Sequence, residues 1–122
     1  MAASSLMKVS SFFDYQGPGR ISIARFAPRG TPAGFRVYKP LAPGPWFNSV
    51  SKPEYEKRYF AQLKLLDAGQ VVEDLLRLAG PAEPVLLCWE KSHDIKSGKT
   101  WCHRHLVAEW LRRELGTEIS EL

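Results

Sequence analysis

Cysteine is scarce in this chain: two among 122 residues, too few for a disulfide framework. No Cys-x-x-Cys pair occurs, so the usual zinc-knuckle spacing is missing. No apolar run approaches the length that spans a bilayer, and the first residues, "MAASSLMKVSSFF", lack the apolar core of a secretion signal. The expectation is therefore a cytoplasmic protein with no membrane partner and with both cysteines as reduced thiols. Strong charge is also lacking. The net charge of +4 permits a phosphate-bearing partner without requiring one. No internal repeat or low-complexity tract is present. None of this names a reaction.

What remains suits one compact domain. Residues 1–6 read as a loose tail and residues 7–122 as a single domain, because Met7-Lys8 opens the first β-prone run. "MKVSSFF" (7–13) and "ISIAR" (21–25) predict strands, separated by the Gly-Pro-Gly loop at 16–20. Residues 26–46 hold five prolines and three glycines. They cannot form a long helix, yet Phe35, Tyr38 and Trp46 need packing, so an ordered loop is expected. Its stretch "PLAPGPWF" (40–47) could form a lid or a docking segment.

Ser51-Lys52-Pro53-Glu54 is a capping box, followed by Tyr55, Tyr59, Phe60 and Leu63 at helical spacing. Asp67 caps a second helix whose apolar stripe is Val71, Val72, Leu75, Leu76 and Leu78, stopped by Gly80-Pro81. "PVLLCWE" (84–90) reads as a strand buried on both faces. A third helix follows the loop 91–99, with Leu106, Val107, Trp110, Leu111 and Leu115 on its inner side and Gly116 as its stop. "TEISEL" (117–122) adds a last strand. A strand, helix and strand in sequence imply a βαβ unit and parallel pairing. The predicted fold is a small three-layer α/β domain: a short, mainly parallel sheet of three or four strands with helices packed on it.

In an open α/β sheet, ligands collect at the carboxyl ends of the strands. Ser10 and Ser11 close the first strand, Arg25 leaves the second with Arg29 four residues on, and Cys88 and Glu90 leave the third. Cys102, His103 and Arg104 stand at the start of the last helix, where free N–H groups favour anions and lower a thiol pKa. Three chemistries fit. Arg25, Arg29 and Arg104, with Ser10, Ser11 and Cys88 nearby, could bind a small anionic ligand such as a nucleotide. Cys102 could be a nucleophile, with Glu90 as general base and His103 beside it. Cys88, Glu90, His93, Cys102, His103 and His105 could hold zinc, although His103 and His105 lie two apart on a helix and point in different directions. Against all three, Cys102 and His103 read equally as buried packing residues, and Trp101 and Trp110 as core or rim. A different class is an accessory protein whose basic loop binds nucleic acid or a protein partner. The cofactor and the oligomeric state stay open.

"VSSFF", "ISIARFAP", "KPLAP", "EKRYFAQLKLLDAGQVVEDL" and "VLLCWEK" followed by "WCHRHLVAEWL" occur in that order. On these stretches the chain resembles the domain of unknown function 488 family, in its short stand-alone bacterial and phage form, from about residue 9 to the C-terminus. The most specific part is the pattern of Cys88, Glu90, Cys102, His103 and Arg104; Arg25 also matches. The resemblance implies a small α/β fold with a site at these residues, and no activity. Two departures stand out. The loop between Glu90 and Trp101 is longer than the family's, and the family's Thr-Ser-Tyr reads Ser10-Ser11-Phe12, which lacks the tyrosine hydroxyl.

Overall fold

The computed structural model describes residues 7–47, 49–89 and 103–121. Five short strands form one sheet: β1 (Lys8–Ser11), β2 (Arg20–Ser22), β3 (Arg36–Val37), β4 (Val85–Cys88) and β5 (Ser120–Glu121). Their order is β3-β2-β4-β1-β5, and every pairing is parallel. The helices among the described residues are α1 (Lys52–Lys64), α2 (Ala68–Ala79) and α3 (His103–Leu115), with a short 3-10 turn at Lys39–Leu41. β4 and β5 flank α3 as expected and run parallel, but β1 lies between them. No helix among the described residues is long and apolar enough to cross a membrane.

Alternation along the strands builds two faces. Val9, Ile21 and Leu86 point to one side, where Tyr59 and Leu63 of α1, Val71 and Leu75 of α2, and Val107 and Leu111 of α3 complete a single core. Phe12, Ala24, Val85 and Leu87 point to the other, against Tyr15, Ala27 and Phe35. The expected third layer is thus made of loops among the described residues, while α1, α2 and α3 share one face. Each strand of the central pair is buried on both sides, which is why "VLLC" carries no polar position.

Local signals start and stop these elements. Ser51 Oγ accepts from Glu54 N, capping α1. The reciprocal half of the capping box does not form there; the Glu54 carboxylate takes Arg58 Nε at 2.9 Å. Asp67 Oδ1 accepts from Gln70 N at 3.0 Å and starts α2. Gly80, at φ 66°, ends it. Gly19 is required by space as well as by its φ of 81°: a Cβ there would lie 2.1 Å from Glu83 O.

The proline-rich segment is an ordered loop, and its anchors are polar. Arg20 is 8% exposed and donates to Gly17 O, Pro32 O and Ala33 O at 2.7–3.0 Å. Tyr38 donates to Asp74 Oδ2 at 2.7 Å, Tyr59 to Leu41 O, and Gln62 Nε2 to Ala42 O at 2.6 Å. Trp46 packs edge-on against Tyr55. Residues 40–47 are therefore tied to α1, and Pro43 O also accepts from Arg25 Nη1 just past β2.

Candidate functional site at the carboxyl edge of the sheet

Parallel pairing brings the ends of β2, β4 and β1 to one edge, in that order. The backbone continues the ladder one step past the strands, with Ile23 N donating to Leu87 O and Phe12 N to Cys88 O. The start of α3 sits over this edge, since His103 Nε2 lies 2.6 Å from Ile23 O. Sequence reasoning placed Arg25, Arg29, Cys88 and the 103–104 pair here; the fold brings Cys88, His103 and Arg104 to this end of the sheet, Arg25 lies just past β2, and Arg29 stands further along the loop that leads back to β3. Glu90, His93 and Cys102 lie outside the described residues.

Arg104 is fully buried. Its Nε donates to Glu121 Oε1 at 3.0 Å and its Nη2 to Glu121 Oε2 at 2.7 Å, a two-bond pair. Its Nη1 donates to Cys88 Sγ at 3.2 Å. The guanidinium thus spans from β5 across β1 to β4 on the helix face. His105 Nε2 donates to the same carboxylate, at 2.9 Å from Oε1. Arg104 was expected to face an anionic ligand; the anion it meets is the protein's own Glu121. That residue was missed because nothing in "ISEL" marks a terminal glutamate as the partner of an arginine 17 positions earlier.

His103 is buried against Tyr59, with ring centres 5.4 Å apart and edge-on. A carbonyl can only accept, so Nε2 carries the hydrogen. Burial pushes the imidazole down to about 4; the bond to Ile23 O works against this and the nearby Arg104 charge adds to it. The ring is neutral near pH 7 and acts as an anchor between α3 and the exit of β2.

Cys88 is disulfide-bonded and buried, which corrects the expectation of a reduced thiol at this position. That expectation rested on reading no secretion signal in the first residues, and sequence spacing carries no information on how close two sulfurs come in the fold. Among the described residues no group of three metal-ligating side chains forms. Ser11 Oγ is committed to the turn after β1: it donates to Asp14 Oδ2 at 2.7 Å and accepts from Phe13 N and Asp14 N. Ser10 Oγ is buried on the loop face with no hydrogen-bond partner among the described residues. Neither hydroxyl is presented at the edge.

Arg25 and Arg29 are exposed. Arg25 makes one long bond to Pro43 O, at 3.4 Å, and lies 5.8 Å from the centre of the Phe26 ring. Arg29 stands at the tip of a turn closed by Thr31, whose N–H and hydroxyl both bond Pro28 O. Neither has a carboxylate partner among the described residues, whereas Arg58, Arg77, Arg104 and Arg113 each do. Three aromatic side chains share this edge: Phe13 past β1, Phe26 past β2 and Trp89 past β4 are 50%, 65% and 46% exposed. The Trp89 indole N–H bonds Phe26 O and fixes two of them together. These aromatics were not singled out from sequence, although "SFF", "ARF" and "CWE" each set one just after a strand.

A separate groove of about 430 Å³ lies between β3 and α2, lined by Val37, Lys39, Asp74 and Leu78 among others, and holds none of the predicted site residues. No family model matches the chain, and no curated protein and no solved structure shows significant similarity to it.

Proposed function

We propose that this protein binds a phosphate-bearing ligand of the nucleotide type at the carboxyl edge of its sheet, through Arg25 and Arg29. The observation that carries this reading is the exposure of Arg25, just past the end of β2, and of Arg29, four residues along the same loop, neither with an acidic partner among the described residues; α/β proteins gather ligands beyond such strand ends. A guanidinium presents paired donors that match phosphate oxygens. The basic balance of the chain favours the same charge of ligand.

The reading is one of binding; the candidate nucleophile Cys102 and base Glu90 lie outside the described residues. His103 is held to a backbone carbonyl, and Cys88 is in a disulfide. Arg104 shapes the edge from beneath by fixing α3 to β4 and β5. The resemblance to the domain of unknown function 488 family adds no activity to this.

Calorimetric titration with inorganic pyrophosphate and with adenosine triphosphate tests the proposal. The expected result is binding that weakens about tenfold in Arg25→Ala and in Arg29→Ala, the loss of one charge-assisted contact each. Equal affinity in both variants, or no heat with either probe, would contradict it.

A further inference from the structure

We infer that the ligand of this edge is single-stranded nucleic acid, with its bases stacked on Phe26, Trp89 and Phe13 and its phosphates on Arg25 and Arg29. The inference rests on the proposed function and names its ligand class. Three large aromatic rings, each about half or more exposed, stand at three adjacent strand exits. Two interstrand spacings separate the outer exits, about 10 Å, which is more than one base covers. Solvent-exposed rings of this size cost free energy unless something covers them.

The three rings and both arginines are exposed. A lone nucleotide is normally held in a cleft that buries most of it. Successive bases of a single strand instead stack on exposed aromatic faces beside a cationic track, and they tolerate any sequence because every base has a π-face. Arg25 lies against the Phe26 ring, and Arg29 follows four residues along the same loop. The loop is a fixed support, because Arg20 pins it at Pro32 and Ala33 and Trp89 pins it at Phe26. Charge complementarity selects a polyanion over an apolar peptide, since no acidic side chain pairs with either arginine among the described residues. Duplex nucleic acid does not fit, because its bases are stacked on one another and unavailable to the rings.

The test is fluorescence anisotropy of a labelled oligothymidylate across a salt series, with tryptophan emission recorded alongside. Phe26→Ala and Phe13→Ala remove exposed rings, and unchanged circular dichroism checks their folds. Affinity should fall about tenfold in each, with the salt slope unchanged, because stacking releases no counterions. Arg25→Ala and Arg29→Ala should each flatten the slope by about 0.7, the value for one phosphate contact on a single strand. Emission should be quenched on binding, and Trp89→Phe should abolish that quenching. Phenylalanine variants that bind like wild type, while the arginine variants weaken, would overturn the stacking and leave the proposed function standing. Duplex bound as tightly as single strand, or pyrophosphate bound with no oligonucleotide binding, would overturn the inference in the same way. Failure of every probe would overturn both.

Discussion

Arg104 and Glu121 form a two-bond ion pair in which the arginine is fully buried and the glutamate sits on the last strand of the sheet. One guanidinium therefore joins α3, β5 and, through Cys88 Sγ, β4. A buried pair of this kind adds little over a well-packed apolar pair, but removing one partner strands the other charge.

Glu121→Gln should accordingly destabilise the fold by on the order of 3 kcal/mol, the cost of removing one partner of a buried ion pair. Urea unfolding measures this as a lower midpoint with an unchanged slope. Arg104→Lys should not rescue, since a lysine cannot make the paired bonds. A midpoint within error of wild type would contradict the role given to the pair.

His103 sets a pH dependence. Its folded pKa, about 4, lies below the ordinary imidazole value of 6.5. Between those values the unfolded chain binds a proton that the folded protein refuses, so stability rises with pH across that window. The contribution is complete above about pH 6.5 and is lost as pH falls toward about 4; it amounts to on the order of 3 kcal/mol. His103→Gln keeps a donor for Ile23 O and should flatten the profile. Urea midpoints at about pH 7 and about pH 4.5 should differ clearly for the wild type and little for the variant beyond what the carboxylates contribute.

Much of this was legible in sequence, and the reasons for the rest are physical. Caps at Ser51 and Asp67, the stop at Gly80 and the buried run "VLLC" are local signals, and each marks its element. β3 escaped notice because alternation cannot be read over two residues, both of them exposed and set in a proline-rich loop. Leu76 and Leu115 continue an apolar stripe yet are 40% and 43% exposed, because the stripe is wider than the surface it packs on. At the site, sequence order located Cys88 and the start of α3 at one edge, with Arg25 just past β2. It could not show that Arg104 faces inward, since that depends on Glu121, which is distant in sequence and brought close only by the parallel sheet.

Arg20 makes a local prediction. Its three bonds to backbone carbonyls hold residues 17, 32 and 33 together. Arg20→Met should leave those carbonyls without their donor and loosen the loop that carries Arg25 and Arg29. Limited trypsin digestion should then cut after Arg25 and Arg29 several-fold faster than in the wild type. An unchanged cleavage rate would mean that the loop is held by its aromatic packing alone.

The state of Cys88 is directly measurable. Alkylation under denaturing conditions without reductant should leave Cys88 unmodified by mass spectrometry, and prior reduction should expose it to labelling. A labelled Cys88 in the unreduced protein would restore the reduced thiol expected from the sequence.

The most direct test of the central claim compares wild type with the Arg25→Ala, Arg29→Ala double variant in binding pyrophosphate at low and moderate salt. The account predicts measurable, salt-sensitive binding by the wild type and its loss in the double variant, with an unchanged urea midpoint, because both side chains are exposed and neither is in an ion pair among the described residues. Binding retained by the double variant, or absent from the wild type, would contradict the assignment of this edge as the anion site.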